Sequence, residues 1–279
     1  MFTFLYALVG IFVGMVINRA ADNLPPPARR SLWVTPRCPY CDTPRSILEQ
    51  SGIVSFVLRR DKCHNCAAPL SLRAPLVEIC AAMLFAFLAN RYPLGIYLAL
   101  VSFFAAALLL VAVIDIEHKL ILNVVTLPTT LLAILASPIL LDGLWFTIGG
   151  VTLSSFGLSL AGAVTGYLLT LGIYYLGVLF LIVVNRGRRQ KINTVAFGMG
   201  DVKLMGLLGA LVGVPAIFYV LVCAALLGGV GAALVILFRL VTRRGYSAFM
   251  AISYGPYLIL AGGAFLIFGP ELFAFLFAR

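Results

Sequence analysis

Long apolar stretches separated by short polar segments dominate the chain. A helix needs roughly 20 apolar residues to cross the hydrocarbon core of a bilayer, and its backbone groups must pair within the helix. Eight stretches approach this pattern, over residues 3–18, 75–90, 94–114, 121–141, 157–184, 202–214, 216–238 and 255–277. The pattern therefore predicts an all-α polytopic membrane protein with about eight transmembrane helices.

The sixth stretch is short for a span, and Pro215 separates it from the seventh. Proline inside a helix removes a hydrogen bond and clashes with the preceding turn, so we expect two helices here. A single long helix over both stretches is the main alternative. The fifth stretch is longer than a bilayer requires and is expected to tilt or to project beyond it.

One sizeable polar stretch interrupts the apolar pattern. It divides the chain into a first transmembrane helix (1–18), a polar loop domain (19–74), for which a cytoplasmic location and a zinc site are argued below, and a transmembrane core (75–279). Arginines follow the first helix and none precedes it, so we expect a retained anchor rather than a cleaved signal peptide. No internal repeat and no low-complexity tract is evident.

Composition and charge support a membrane protein. Hydrophobic residues make up 62% of the 279 and charged residues 11%, whereas soluble proteins average about half and about a quarter. The net charge of +10 could indicate a nucleic-acid partner, but the basic residues are confined to a few loops. We therefore expect no nucleic-acid partner and interpret the charge as a signal of orientation in the lipid bilayer.

The distribution of basic residues predicts the topology. With the N-terminus outside, 18 of the 20 lysines and arginines fall in cytoplasmic segments, and Arg91 and Arg279 do not. The cytoplasmic set is Arg19, Arg29, Arg30, Arg37, Arg45, Arg59, Arg60, Lys62, Arg73, Lys119, Arg186, Arg188, Arg189, Lys191, Lys203, Arg239, Arg243 and Arg244. This asymmetry is what the positive-inside rule requires of a correct topology.

The polar loop carries two C-x-x-C pairs, in "RCPYC" and "KCHNC". They contain Cys38, Cys41, Cys63 and Cys66. Each pair can present two thiolates from one turn, and two such turns complete a tetrahedral zinc site. A segment of about 55 residues with little apolar content cannot build a good core alone, so a structural metal has a clear purpose.

Other interpretations of the cysteines are less consistent with the sequence. "CPYC" matches a redox dithiol motif, but no βαβ pattern surrounds it and a redox site does not need a second C-x-x-C. Covalent haem attachment requires histidine directly after the second cysteine, where Asp42 and Ala67 stand. His64 could replace one cysteine as a ligand, although four thiolates are the simpler assignment. Cys80 and Cys223 lie in apolar stretches and are expected to be small core residues.

Two aspartates are predicted at the cytoplasmic edge of the membrane. Asp115, in "VAVIDIEHKL", ends the third stretch, and Asp201, in "FGMGDVKL", begins the sixth. Each could be an ordinary helix-end residue. However, a carboxylate at a helix C-terminus faces the negative end of the dipole, and Gly198 and Gly200 permit a close backbone approach beside Asp201.

Two carboxylates at one depth can perform aspartyl-protease chemistry. Close like charges cannot both ionise cheaply, so such a pair shares one proton and titrates as a unit. The helix dipole favours the ionised form of Asp201 and disfavours that of Asp115. We therefore expect Asp201 to act as the base and Asp115 as the acid. The other protease motifs, H-E-x-x-H and G-x-S-x-G, are absent from the sequence.

Four segments together resemble the type IV prepilin peptidases. They are the paired C-x-x-C loop after a first span, "LRAPLVE", "DIEHKLILNVVTLP" and "GMGDVKL". "GMGD" also fits the wider group of G-x-G-D intramembrane aspartyl proteases, with Lys203 following in the same motif. The resemblance covers nearly the whole chain in the family's order.

The resemblance implies an activity and its partners. It implies an eight-span protease of the bacterial plasma (inner) membrane that removes the basic leader from prepilins and pseudopilins, at the cytoplasmic face and after a glycine. It also implies N-methylation of the new N-terminal residue with S-adenosylmethionine as donor. The catalytic pair would be Asp115 and Asp201. The four loop cysteines would hold the zinc. No glycine-rich nucleotide loop appears, so the residues alone assign no methyl-donor site.

Two positions depart from the family's usual pattern. Family members often have Ile-Pro where this chain has Ser51-Gly52, and Pro-Asp or Pro-Asn where it has Leu122-Asn123. Neither departure touches the catalytic pair. Two alternatives to a protease remain at this stage. One is an ion- or proton-coupled transporter in which Asp115 and Asp201 form a relay, and the other is a membrane scaffold with a zinc loop that docks a partner.

Overall fold

The structure is a computed structural model, and it describes residues 1–26, 30–31, 34–38, 40–58, 62–69, 71–143, 146–148, 151–186, 197–242 and 253–277. Several basic residues of the topology argument lie outside these ranges, namely Arg29, Arg59, Arg60, Arg188, Arg189, Lys191, Arg243, Arg244 and Arg279. The chain divides into two compact units, Met1–His118 (unit 1) and Lys119–Arg279 (unit 2). The three-part division at residues 18 and 74 remains a prediction.

The predicted all-α class is confirmed, and a long helix lies in each predicted stretch. In unit 1 these are α1 (Phe2–Asn23), α4 (Arg73–Arg91) and α5 (Ile96–His118), with two short helices, α2 (Ile47–Gln50) and α3 (Gly52–Val57), in the polar loop. In unit 2 they are α6 (Asn123–Leu140), α7 (Ser155–Asn185), α8 (Met199–Val212), α9 (Ala216–Val241) and α10 (Gly255–Phe277). The sixth and seventh stretches thus form separate helices.

The number of membrane crossings is a separate question. Within the described residues, six helices are long and apolar enough to cross a membrane by length and composition: α1, α4, α5, α6, α7 and α9. Helix α8 has 14 residues, and the apolar part of α10 covers Gly255–Gly269. The protein is therefore a multi-pass membrane protein, while a total of eight crossings stays a prediction. Helix α7 has 31 residues and is about 46 Å long, which exceeds the hydrocarbon core.

A small β-hairpin is, like α2 and α3, a regular element that the hydrophobic pattern did not predict. Strands β1 (Phe146–Ile148) and β2 (Val151–Leu153) pair antiparallel, with Thr147 opposite Thr152. The signal was present in the sequence, since β-branched and aromatic residues flank a Gly-Gly pair, which is typical of a two-residue hairpin turn. This hairpin signal is short and lies between two apolar stretches, so the hydrophobic pattern does not separate it from them.

Helices α1 and α4 approach each other closely in unit 1. Gly10 and Gly14 form a G-x-x-x-G face on α1, and a Cβ atom at Gly14 would lie 2.7 Å from the Cα atom of Glu78. A Cβ atom at Gly10 would lie 2.7 Å from the carbonyl oxygen of Ala81. Small residues allow helices to associate in lipid, where burial of apolar side chains supplies little driving force.

The same device packs α8 against α7 in unit 2. Cβ atoms at Gly162 and Gly209 would each lie within 2.2 Å of the other residue's carbonyl oxygen. Ser159, which is fully buried, donates a hydrogen bond to the carbonyl of Ala210 over 2.7 Å. Helix α8 also contacts α6, α9 and α10, so it is the central helix of its unit.

Helix α6 contains two prolines, Pro128 and Pro138. Proline cannot donate a hydrogen bond to the carbonyl four residues earlier, and a carbonyl in lipid needs another donor. The hydroxyl of Ser137 donates to the carbonyl of Ile134 over 2.7 Å, which is the group that Pro138 leaves open. The proline is thereby tolerated within the helix.

Substitution of Gly162 tests the close packing of α7 and α8. We expect Gly162→Ala to destabilise unit 2 by about 1–3 kcal/mol, because the added methyl group forces the two backbones apart. The matched control is Gly172→Ala on the same helix, where a Cβ atom meets nothing within 4 Å. Thermal unfolding in detergent should show a lower midpoint for the first variant and an unchanged or higher midpoint for the second.

Candidate metal centre and active-site aspartates

The two C-x-x-C pairs fold into matching turns. The backbone N–H of Cys38 donates to the carbonyl of Thr43 over 2.9 Å, and that of Cys63 donates to the carbonyl of Ala68 over 2.8 Å. The residue after each second cysteine is left-handed, with φ of 54° at both Asp42 and Ala67. Each turn closes with an isolated antiparallel bridge, Arg37 to Pro44 and Lys62 to Pro69.

These turns form a short repeat that the sequence analysis did not identify. Both segments have the pattern basic residue, Cys, two residues, Cys, two residues, Pro, at residues 37–44 and 62–69. The repeat is only eight residues long and shares few identities, so it carries little weight as a sequence signal. The structure makes it visible because the two backbones adopt the same hydrogen-bonding pattern.

The four thiols are arranged as a tetrahedral metal site would require. All four Sγ atoms lie within 4.8 Å of one another. The Sγ atoms of Cys38 and Cys66 are 3.7 Å apart, and those of Cys41 and Cys63 are 3.8 Å apart. Zinc–thiolate bonds of about 2.3 Å at tetrahedral angles place sulfur atoms about 3.8 Å apart. The cluster therefore fits a metal ion held by four cysteines.

The geometry also bears on the alternatives. All four Sγ atoms are mutually close, so the two cysteines of "CPYC" belong to one group of four thiols rather than to an isolated redox dithiol. His64 is not in the group of four ligands, and its Nδ1 atom contacts a carboxylate oxygen of Glu49 at 3.1 Å. Cys80 and Cys223 are not in the cluster. However, Cys80 is exposed, so its predicted place in the core is wrong.

The thiols perturb one another strongly when no cation balances them. A hydrogen bond with Thr43, whose Oγ1 atom lies 2.7 Å from the Cys41 Sγ atom, lowers the pKa of Cys41 to about 6. The pKa of Cys66 is raised to about 12, because the lowering effect of the Ala68 backbone is outweighed by desolvation and by neighbouring cysteine thiols. Four thiolates at this spacing need a divalent cation to ionise together.

Glu49 connects the second cysteine turn to the helices of the loop. This carboxylate is 6% exposed and accepts hydrogen bonds from the backbone N–H groups of Ser46 (3.0 Å) and His64 (3.2 Å). Desolvation raises the pKa of Glu49, but these donors outweigh it, so the pKa is lowered overall. Folding thus favours the ionised form, and this stabilisation is present above the unfolded-state pKa and is lost as the pH falls through the folded-state pKa.

A second buried carboxylate, Glu78, fastens the loop to the membrane helices of unit 1. It is fully buried and accepts hydrogen bonds from the backbone N–H of Gly52 (2.7 Å) and Ile53 (3.0 Å) and from the hydroxyl of Ser51 (2.9 Å). A Cβ atom at Gly52 would lie 2.3 Å from the nitrogen of Pro75. The Ser-Gly pair therefore makes contacts that an Ile-Pro pair cannot, since proline has no N–H to donate.

Arg73, the first residue of α4, joins that end of the helix to the C-terminal ends of α1 and α5 in unit 1. Its guanidinium donates to Asp22 at the end of α1 over 2.5 Å and also to Glu117 near the end of α5. Arg45 adds a contact with Asp22 at 3.7 Å. The "LRAPLVE" segment thus supplies two buried or half-buried charged residues with structural roles, Arg73 and Glu78. Sequence reasoning had used this segment only as part of the resemblance.

Asp115 lies in the last turn of α5 and is 4% exposed. The helix continues to His118, four residues beyond the predicted end of the third stretch. Glu117, two residues further on, is bound by Arg73. The ion pair therefore fixes the end of the helix that carries Asp115.

Asp201 lies in the first turn of α8, in unit 2, and is 9% exposed. Its Oδ2 atom accepts a hydrogen bond from the backbone N–H of Gly198 over 2.9 Å. A Cβ atom at Gly200 would lie 2.9 Å from the Cβ atom of Ile121, whereas one at Gly198 would meet nothing closer than 3.6 Å. The close approach predicted for both glycines is thus found at Gly200, while Gly198 orients the carboxylate through its N–H.

Two further contacts surround the start of α8. The Nζ atom of Lys203 donates to the Oδ1 atom of Asn123 over 2.8 Å, which connects α8 to the start of α6. The ring centroids of Phe197 and Tyr254 are 4.5 Å apart. Burial, and then the charge of Asp201, raises the pKa of Tyr254, so its hydroxyl keeps its proton. No sequence motif predicted that Tyr254 lies near Asp201.

The fold and these sites define a multi-pass membrane protein with a four-cysteine cluster that fits a metal ion and a buried aspartate at one end of a helix in each unit. Residues 5–92 match the bacterial peptidase A24 N-terminal domain, and residues 102–233 match the type IV leader peptidase family. The chain belongs to the type IV leader peptidase family. The second match includes both Asp115 and Asp201, and the first includes the cysteine loop.

Relatives named prepilin leader peptidase/N-methyltransferase match most of the chain. The protein of Burkholderia pseudomallei (strain K96243) is 32% identical, over 96% of this chain and 85% of its own length. The Aeromonas hydrophila protein is 30% identical, over 84% of this chain and 72% of its own length. The Pseudomonas aeruginosa protein is 28% identical, over 95% and 88%. No solved structure matches the chain significantly.

Replacement of Glu49 tests its connection to the cysteine turn. We expect Glu49→Gln to destabilise the loop by about 1–3 kcal/mol at neutral pH, because charge-assisted hydrogen bonds are lost in a buried place. The deficit should shrink as the pH falls through the lowered pKa of Glu49, since the wild type then loses its own charge. Thermal unfolding at a series of pH values measures both effects.

Asp42→Asn is the control for this variant. Asp42 is 65% exposed on its side chain and pairs with Arg37, and exposed ion pairs contribute roughly 0–1 kcal/mol. Asparagine also tolerates the left-handed backbone found there. An equal loss of stability in both variants would contradict the structural role of Glu49.

Proposed function

We propose that this protein is a prepilin leader peptidase that also N-methylates its product. The observation that carries the proposal is the match of both family segments in order, the first with the cysteine loop and the second with both Asp115 and Asp201. The substrates are then prepilins or pseudopilins, cut at the cytoplasmic face of the bacterial inner membrane. The N-terminus lies outside in this proposal, as the distribution of basic residues predicts.

Asp115 and Asp201 are the proposed catalytic residues. In a mechanism of this type, the ionised carboxylate takes a proton from water as the water oxygen attacks the scissile carbonyl carbon, and the protonated carboxyl gives its proton to the carbonyl oxygen. The tetrahedral intermediate collapses as the peptide nitrogen receives a proton and leaves. The hydrogen bond from the Gly198 N–H to Asp201, together with its place in the first turn of α8, supports Asp201 as the base.

Asp115 has the complementary environment for the acid. It lies in the last turn of α5, where the helix dipole disfavours negative charge, and it is buried. Both conditions support the assignment of Asp115 as the acid of the proposed pair. Gly200 and Lys203 support the Asp201 side by placing α8 against Ile121 and Asn123. The comparisons do not favour a transporter that uses these aspartates as a relay.

Zinc is the proposed metal of the cysteine cluster, and its role is structural. Cys38, Cys41, Cys63 and Cys66 fill all four positions of a tetrahedral site, so no open position remains for a substrate. S-Adenosylmethionine is the proposed methyl donor, and it supplies the methyl group for the new N-terminal amine. This part rests on the names of the relatives.

The catalytic pair is tested with the reconstituted full-length protein and a panel of prepilins. We expect Asp115→Asn and Asp201→Asn each to reduce leader release by at least about 10²-fold, since each removes a general acid or base. Asp142→Asn, at an exposed position, is the control and should cleave normally. Gel mobility or mass spectrometry of the prepilin measures the released leader.

The outcomes separate the alternatives. Cleavage that survives in both active-site variants would show that the aspartates are not the catalytic pair. Failure of the wild type on every prepilin in the panel would count against the peptidase itself. The N-methyltransferase activity is tested in the same reactions with methyl-labelled S-adenosylmethionine. A pilin that has already been cleaved is included as substrate, so that methylation is measured independently of cleavage.

The metal is tested by its content in the purified protein. We expect about one zinc ion per chain by elemental analysis, and loss of the metal in Cys38→Ser and Cys63→Ser, because three thiolates leave the site open. Cys80→Ser changes an exposed thiol outside the cluster and should retain the zinc. Iron or no metal in the wild type would overturn the zinc assignment.

A further inference from the structure

A cavity of about 430 Å³ lies in unit 1, between the cytoplasmic half of α1 and the cysteine loop. Its volume falls within the range of roughly 300–1,000 Å³ that ligand sites occupy. The proposed peptidase and metal chemistry uses none of the side chains that form its walls. The cavity therefore needs an explanation of its own.

One wall of the cavity is apolar and faces outward from α1. It is formed by Phe12, Met15 and Val16, which lie on one face of the helix because they are three and four residues apart. Phe12 is 64% exposed and Val16 is 44% exposed, within a helix long and apolar enough to cross a membrane. This part of the cavity is therefore open to the acyl chains of the bilayer.

The other end of the cavity is polar and positively charged. Arg19 and Arg45 line it together with Asp22. The carboxylate of Asp22 is shared by Arg73 at 2.5 Å and by Arg45 at 3.7 Å, so the positive charge at this end exceeds the single negative charge of the wall. An anionic group complements this end of the cavity.

Two buried polar atoms at this end have no hydrogen-bond partner. They are the Nε atom of Arg45, a donor, and the Oδ1 atom of Asn18, an acceptor. Asn18 is 5% exposed, and its Nδ2 atom is engaged with the carbonyl of Ala74 over 2.9 Å. An unpaired buried group is costly, so a ligand here should offer both an acceptor and a donor.

We propose that this cavity binds one phospholipid, with its phosphate at Arg19 and Arg45 and its acyl chains along Phe12, Met15 and Val16. The headgroup is one that carries an N–H or O–H donor for Asn18, as phosphatidylethanolamine and phosphatidylglycerol do. Along the helix, Phe12 lies about 10 Å from Arg19. This distance is similar to the difference in depth between a lipid headgroup and the upper part of its acyl chains.

A bound lipid would connect the cysteine loop to the bilayer. Arg45 belongs to the loop and the apolar wall belongs to α1, so the lipid contacts both. This inference depends on the membrane character of unit 1 and not on the proposed peptidase activity. A variant that loses lipid binding can therefore be distinguished from one that loses peptidase activity.

Native mass spectrometry of the full-length protein tests the proposal. The protein is delipidated in detergent, and phosphatidylethanolamine, phosphatidylglycerol or phosphatidylcholine is added back. We expect one adduct with each of the first two lipids and at least about ten-fold weaker binding of phosphatidylcholine, whose quaternary ammonium has no donor for Asn18. Equal binding of all three lipids would overturn the proposal.

Variants assign the adduct to this cavity. Arg45→Met should weaken it about ten-fold or more, because a charge-assisted contact is lost. Arg45 also contacts Asp22, so Met15→Trp serves as a second variant that fills the apolar end and leaves every ion pair in place. Arg91→Met, at the opposite end of α4, is the control and should bind like the wild type.

Thermal unfolding with and without lipid gives an independent readout. The donor-bearing lipids should raise the midpoint of the wild type and of Arg91→Met, and should have little effect on Met15→Trp. Lipid binding that is unchanged in both cavity variants would place the lipid elsewhere and contradict the proposal. Displacement of the adduct by S-adenosylmethionine, with no headgroup preference, would assign the cavity to the methyl donor instead.

Discussion

The ion pairs of Arg73 are the interaction on which the organisation of unit 1 depends. One guanidinium binds Asp22 of α1 and Glu117 of α5 from the first residue of α4. A charged group near the membrane is costly unless it is paired, and a pair removes that cost only in one arrangement of the helices. Helix ends that are far apart in sequence are thereby fixed together. One of them is the last turn of α5, which contains Asp115.

Close backbone contact supplies the rest of the cohesion within each unit. In lipid, a leucine gains little by leaving the acyl chains, so association depends on van der Waals contact and on buried hydrogen bonds. Gly14 serves this purpose between α1 and α4, and Gly209 does so between α7 and α8. Helix α8 illustrates the result, since a 14-residue helix that is surrounded by other helices needs neither the length nor the exposed apolar face of a membrane anchor.

The sequence predicted the helices better than their ends and partners. Hydropathy locates α5 but stops it at residue 114, because Glu117 and His118 are polar. The helix nevertheless reaches His118, since Arg73 binds the charge of Glu117. This pairing joins residues 44 positions apart, and no local pattern records it. The four cysteines were predictable because metal geometry dictates their spacing, whereas the buried role of Glu78 depends on partners 25 to 27 residues away in the sequence.

Burial alone does not single out the two aspartates proposed as the catalytic pair. Glu78 is fully buried, whereas Asp201 is 9% exposed. Yet Glu78 accepts two backbone N–H groups and one hydroxyl, so its oxygens are enclosed and engaged by the protein itself and do not face a substrate. A general acid or base instead needs a carboxylate that is oriented by the fold and still able to change its protonation state. Position at a helix end, which tunes that state through the dipole, distinguishes the aspartates from the glutamate more sharply than burial does.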